Sequence, residues 1–236
     1  VLAVSALALL VGPDVLLAPW LLLLFAFLPA LDVAVHVCNQ VVSAFLKPKP
    51  LPRLDLLQHG VANEHRTAVV VPTLLGDVDD VLEALDNLEV QFLANHEKHL
   101  QFALLSDFTD APTETMPGDD GVLHAAITGM RSLNERHAPG RAPVFFLLHR
   151  PRRWNAAQGV WMGWERKRGK LSQFNRFLQG GSPDAFSVIS EDITRLRGVR
   201  YVITLDADTV LPPDAAPALI GAIAHPLNHA VYDASR

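Results

Sequence analysis

Tyr201-Val-Ile-Thr-Leu-Asp-Ala-Asp-Thr209 is the stretch that decides the fold. Its opening residues are apolar or β-branched, as in a short strand buried on both faces. Two aspartates one residue apart then end the run and put oxygen ligands at a sheet edge. Three earlier runs share this character: Thr67–Leu75, Leu100–Leu105 and Val144–His149. Helical signals lie between them. Asp77–Asn95 carries apolar residues at 78, 81, 82, 85, 88, 92 and 93 behind an acidic first turn, one stripe of a helix. Residues 119–137, a segment near 169–178, and Asp214–Ala224 read the same way. Strands alternating with helices predict an α/β domain over 66–236 with a doubly wound, mainly parallel sheet. Ligands of such sheets gather beyond the carboxyl ends of the strands. Asp107, Asp110, Asp206 and Asp208 are all expected there.

The first 46 residues are of another kind. Residues 1–31 hold a single formal charge, Asp14. A bilayer-spanning helix needs about 20 apolar residues. Residues 1–11 look like the tail of one span, and 15–31, with Pro19 and Pro29, like a second. From 31 to 46, Asp32, His36, Asn39, Gln40 and Ser43 fall on one helical face, which predicts a helix lying in the membrane interface. A buried helical hairpin is the soluble alternative. Lys47, Lys49 and Arg53 belong to an expected linker, 47–65, and by the positive-inside tendency they place the following domain on the cytoplasmic side. The chain opens on Val and breaks off 28 residues after Asp208, so it is expected to be a fragment of a longer protein.

Composition excludes several classes. A single cysteine, Cys38, cannot form an internal disulfide or a cysteine-based zinc site. Twenty basic against 25 acidic residues, net −5, do not make a polyelectrolyte binder, so no nucleic-acid partner is expected. The histidines show no metal-ligand spacing and read as surface or loop residues. No nucleophile elbow, phosphate-binding P-loop or dinucleotide fingerprint is present.

Three constellations carry chemistry. Asp206 and Asp208, at the end of a strand, suit a hard divalent cation such as Mg²⁺ or Mn²⁺, which takes one or two carboxylates plus substrate phosphates. A diphosphate so neutralised is a better leaving group; the plain alternative is a solvated β-turn. Asp107, in Ser106-Asp107-Phe108-Thr109-Asp110 after the second strand, could accept from a uracil N–H or a ribose hydroxyl, or could simply cap a loop or helix. Seven cations against one acid lie between Arg150 and Lys170, a focused positive stretch. Lys167-Arg168-Gly169-Lys170, just ahead of a helix, could hold phosphate oxygens. Trp154, Trp161 and Trp164 offer flat faces to sugar rings. The alternatives are a nucleic-acid patch and a solvated charge run.

These motifs resemble a known family. Arg66–Leu75, Phe102–Pro112, His149–Asn155, Trp161–Leu171 and Tyr201–Thr209, in that order and continuing to Ala224–Asn228, resemble the glycosyltransferase region of bacterial cyclic β-1,2-glucan synthases. The resemblance implies a GT-A-like domain related to the family 2 transferases, attached to the inner membrane and facing the cytoplasm. It implies an inverting, metal-dependent transfer of glucose from UDP-glucose to a growing β-1,2-glucan acceptor. It also implies a larger multidomain chain with a phosphorylase-like region elsewhere. Asp206 and Asp208 would be its metal-binding pair and Asp107 its uridine contact. Lys167, Arg168 and Lys170 would be the basic element that approaches the donor phosphates. The family's general base and its Gln/Arg/Trp acceptor motif follow the Asp-x-Asp pair and are expected beyond Arg236. Two other readings remain open here: another nucleotide-sugar- or nucleotide-dependent α/β transferase, and a non-catalytic membrane-associated scaffold that binds a partner or anionic lipid.

Overall fold

Residues 19–46 and 49–228 are described in the computed structural model, in two units, Val1–Pro50 and Leu51–Arg236. The first unit contributes one helix, α1 (Pro19–Phe45). Proline lacks an N–H donor, so Pro19 costs nothing in the first turn, and Pro29 lies inside the helix without ending it. The break expected near residue 31, between a span and an interfacial helix, is absent: Pro19–Phe45 is one continuous helix. Within it, Phe25–Phe45 is a stretch of 21 residues long and apolar enough to cross a membrane, and none of it is buried. Asp32, His36, Asn39, Gln40 and Ser43 form a single polar stripe along it. The expected span at residues 1–11 lies outside the described residues.

The second unit is built on a sheet of five strands: β1 (Thr67–Leu75), β2 (Leu100–Phe108), β3 (Phe145–Arg150), β6 (Val188–Ile189) and β7 (Tyr201–Thr204). They lie in the order β6-β3-β2-β1-β7. All neighbours run parallel except the edge strand β6. A two-stranded hairpin, β4 (Arg153–Asn155) and β5 (Val160–Met162), stands apart from the sheet. The helices are α3 (Val78–Ala94), α4 (Asp119–His137), α5 (Arg166–Leu178) and α6 (Ala215–Ala224), after a single turn α2 (Leu56–His59).

Side chains alternate across each strand, and here both sides are apolar. Val69, Val71, Phe102, Leu104, Phe145 and Leu147 face one way, under Val81, Leu85 and Leu88 of α3 and Met130 of α4. Ala68, Val70, Ala103, Leu105, Phe146 and Leu148 face the other, under Phe174 and Phe177 of α5. Burial on both faces explains why the strands read as continuous apolar runs. Asp77 caps α3 by accepting from the Asp80 N–H at 2.9 Å.

Several boundaries differ from expectation. Strand β2 runs through Phe108, three residues past the expected end, so Ser106 and Asp107 are inside the sheet. Helix α5 begins at Arg166 rather than near 169, so Lys167 and Arg168 lie in its first turn. The hairpin and β6 are additions to the expected elements. Residues 51–65, read as linker, pack on the α/β unit: Leu56 and Val61 are buried, and the Leu54 N–H donates to Gly221 O at 3.0 Å. No Cβ fits at Gly221, because it would press on the Leu54 backbone.

Candidate functional site

The chain starts inside the sheet with β1, moves outward through β2, β3 and the edge strand β6, then returns to the other side of β1 as β7. The reversal creates a crevice at the carboxyl ends of β1 and β7, where open α/β sheets bind ligands. A cavity of about 250 Å³ lies there, lined by Thr73, Leu74, Asp80, Asn87, Ala207 and Asp208. Asp206 and Asp208 follow β7 directly, and both are exposed at the surface. Lys167, in the first turn of α5, donates to the carboxylate of Asp206.

The loop that carries the two aspartates is pinned from α3. Gln91 donates to Thr209 O at 2.8 Å and accepts from the Leu211 N–H at 2.7 Å. Asn95, the residue after α3, accepts from the Ala216 N–H at 2.9 Å and donates to Pro212 O at 3.1 Å. Both amides are buried. Sequence reasoning misses these two residues, although Gln91 sits in phase with the apolar stripe of α3, a polar residue where a core side chain belongs.

Asp107 is not in a loop beyond the strand. It is 1% exposed, directly opposite Arg150 in the β2–β3 register. Arg150 grips both its oxygens, Nε to Oδ1 and Nη2 to Oδ2, at 2.7 Å each. The same guanidinium donates to Trp164 O at 3.0 Å, Arg166 O at 3.1 Å and Gln173 Oε1 at 2.7 Å. Lys170 is 2% exposed; its ammonium lies 3.3 Å from Asp107 Oδ2 and donates to Thr73 O at the end of β1. Burial lowers the Lys170 pKa, and the Asp107 carboxylate opposes that shift. Lys170 is therefore a buried tie between β1, β2 and α5, with no surface left to offer a phosphate. Arg168 is exposed and pairs with Glu165 at 2.6 Å.

The positive stretch is largely neutralised by acids from other loops. Arg166 meets Asp110 at 2.6 Å, and buried Arg152 meets Asp119 at 2.6 Å. Arg152 also donates to Thr109 O at 2.7 Å and lies over the Phe108 ring, 4.6 Å from its centroid. Burial raises the Asp119 pKa, but Arg152 and the Met116 N–H outweigh it and hold the carboxyl below its usual range. The net effect is a belt of ion pairs tying the loops after β2, β3 and β7 to the start of α5.

The three tryptophans lie on or beside the hairpin. Trp154 on β4 pairs across with Trp161 on β5, and Trp161 exchanges two 2.9 Å backbone hydrogen bonds with Ala111. Trp154 and Trp164 line a groove of about 570 Å³. His149, expected at the surface or in a loop, is instead fully buried in β3. Its Nδ1 is 2.9 Å from Ser106 Oγ, and burial pushes its pKa down to about 4.

Two exposed carboxylates at the end of β7 are the residues that would hold a divalent cation here. Among the described residues no three His, Cys, Asp or Glu side chains converge, so the protein's share of such a site would be limited to Asp206 and Asp208. That matches a hard cation whose remaining ligands come from water and substrate phosphates.

No protein-family model matches the chain. It is 45% identical over 213 residues, 90% of its length, to the cyclic β-(1,2)-glucan synthase NdvB of Rhizobium meliloti (strain 1021), and spans 7% of that protein. The matched length takes in the whole route from strand ends to ion-pair belt rather than one motif. The chain is thus homologous to one region of a cyclic β-(1,2)-glucan synthase.

Proposed function

We propose that the α/β unit is the donor-binding part of a membrane-attached, GT-A-like glucosyltransferase that moves glucose from UDP-glucose to a growing β-1,2-glucan. The observation that carries this reading is the placement of Asp206 and Asp208 at the β1/β7 switch point, with Lys167 on Asp206. The homology to one region of a cyclic β-(1,2)-glucan synthase supports glucose as the sugar and β-1,2 as the linkage. Exposed, apolar α1 supports attachment to a membrane, and the Lys49 and Arg53 that follow it support a cytoplasmic catalytic face.

Asp206 and Asp208 would hold Mg²⁺ or Mn²⁺, whose charge would offset that of a departing diphosphate. Lys167 trades its contact with Asp206 for the donor phosphates, a short move for an exposed ammonium already at the site. Gln91 and Asn95 keep the aspartate loop from shifting as charge develops. Asp107 acts from beneath: with both oxygens held by Arg150, it fixes the start of α5. An acceptor hydroxyl then attacks the anomeric carbon opposite UDP, giving inversion, with its proton taken by a general base.

Isothermal titration of the chain with UDP, with and without Mg²⁺, tests the reading. Mg²⁺ is expected to tighten UDP binding at least tenfold, and Asp206→Ala/Asp208→Ala to abolish that gain. A gain that survives the double substitution would falsify the metal role. Binding of nucleoside triphosphates in preference to UDP-glucose would favour a nucleotidyl- or phosphoryl-transferring enzyme.

A further inference from the structure

We propose that the groove beside the β4–β5 hairpin is a second binding site, for an uncharged oligosaccharide, distinct from the nucleotide crevice. That the saccharide is the glucan rests on the function proposed above; the chemistry of the groove does not.

The groove, about 570 Å³, falls in the size range of ligand clefts, about 300–1,000 Å³. Two indoles form its apolar surface: Trp154 is 53% and Trp164 45% exposed. Large aromatic side chains left open in one concavity mark a recognition surface more than a packing accident. Neither ring is loose. Trp154 leans on Trp161, with centroids 6.0 Å apart, and the Trp164 carbonyl is held by Arg150. Gly169 lets α5 approach so near that a Cβ there would strike the Trp164 carbonyl.

Backbone strain is concentrated along the same groove. Glu165 and Arg166, consecutive and both lining it, adopt left-handed conformations with φ of 53° and 46°. Residues other than glycine seldom do so, and such strain clusters where a site needs fixed geometry. Here Arg150, bonded to the carbonyls of Trp164 and Arg166, clamps the junction.

Charge selects the ligand class. Glu165 is paired with Arg168, and Arg166 with Asp110, so among the described lining residues Arg153 alone is left as an unpaired charge, too little to hold a polyanion. Among the described residues Arg153 and Gln158 line it without a side-chain hydrogen-bond partner. A pyranose presents C–H groups on its faces and hydroxyls at its rim. The indoles suit the faces, and the guanidinium and amide suit the rim. Arg166 borders the groove while the next residue, Lys167, reaches Asp206, so a chain seated here ends close to the donor.

The test is isothermal titration of the full chain, in mild detergent, with a β-1,2-linked gluco-oligosaccharide and, separately, with UDP and Mg²⁺. Trp154→Ala and Trp164→Ala should each weaken oligosaccharide binding about tenfold or more and leave UDP binding within twofold. Trp154→Phe, which keeps a flat face, should recover much of the loss. The proposal is overturned if wild type does not bind the oligosaccharide, or if both alanine variants bind it like wild type. It is equally overturned if a single-stranded oligonucleotide binds more tightly and responds to the same substitutions. Should Trp164→Ala not fold, the exposed hairpin position Trp154 decides alone. Oligosaccharide binding without UDP binding would sink the donor reading and leave the groove; UDP binding without oligosaccharide binding would do the reverse.

Discussion

Asp107 on β2 and Arg150 on β3 are register partners joined by two 2.7 Å hydrogen bonds, with both side chains buried. Bidentate geometry makes this the strong form of an ion pair. Arg150 then spends its remaining N–H groups on Trp164, Arg166 and Gln173. One cross-strand pair therefore sets where α5 starts, and with it the position of Lys167 and the shape of the hairpin groove.

Removing one member of a buried pair strands the other. Arg150→Met should cost about 3–5 kcal/mol of stability, whereas Asp107→Asn/Arg150→Met, which removes both members of the pair but leaves the buried Lys170 ammonium beside a neutral amide, should still cost clearly less than the sum of the two single changes. Urea unfolding of the four proteins gives the coupling directly. Additive single effects would mean that the pair does not hold the junction.

Gly163 passes directly over the Asp107 carboxylate, and a Cβ there would overlap Oδ2. The carboxylate cannot give way, because Arg150 and Lys170 surround it. Gly163→Ala is expected to destabilise by about 1–3 kcal/mol through overpacking. Gly121, in the first turn of α4, is the contrast, because a methyl group added there would meet only open space. Gly121→Ala should be neutral or stabilising by up to about 1 kcal/mol. Equal melting temperatures for the two variants would contradict the crowding at Gly163.

Which features are legible in the chain alone follows from how local their causes are. The four parallel strands are legible because burial on both faces leaves unbroken apolar runs such as Thr67–Leu75. Helix α4 is legible from its periodicity. The end of β2 is not, since Ser106-Asp107 is polar and reads as loop until its partner Arg150, 43 residues away, is brought alongside. Nor is the start of α5, where the left-handed Glu165 and Arg166 are set by that distant guanidinium rather than by any local capping residue. The cations after β3 look like an open positive site because counting charges omits the acids that Asp110, Asp119 and Asp206 bring from elsewhere. Asp206 and Asp208 are legible as exposed strand-end carboxylates; Gln91 and Asn95, which steady them, act across more than 110 residues.

Gln91→Leu tests that support. The change would leave Thr209 O and the buried Leu211 N–H without their partner, at about 1–3 kcal/mol for the buried donor. On the function proposed above, Mg²⁺-dependent UDP binding should fall severalfold although Asp206 and Asp208 are untouched. A variant that loses stability but binds Mg²⁺–UDP like wild type would show that the brace serves folding alone.

His149 makes stability depend on pH in a defined window. Burial holds its pKa at about 4 in the folded protein, against about 6.5 for an unfolded chain. Between those values the unfolded state binds the extra proton, so stability rises with pH. The contribution is complete above about pH 6.5 and is lost as pH falls toward 4, a swing of about 3 kcal/mol. Partial burial lowers the His99 pKa as well and adds a smaller effect of the same sign. Asp119 and Glu89 act elsewhere: their lowered pKa values supply stability that is lost only at more acid pH, as the folded carboxylates take up protons. Urea unfolding at pH 7, 5.5 and 4.5 should therefore show a steady decline for wild type. His149→Leu/Ser106→Ala, which removes the imidazole without leaving the Ser106 hydroxyl unpaired, should retain only the shallow slope due to His99. An unchanged slope in that variant would place the titrating group elsewhere.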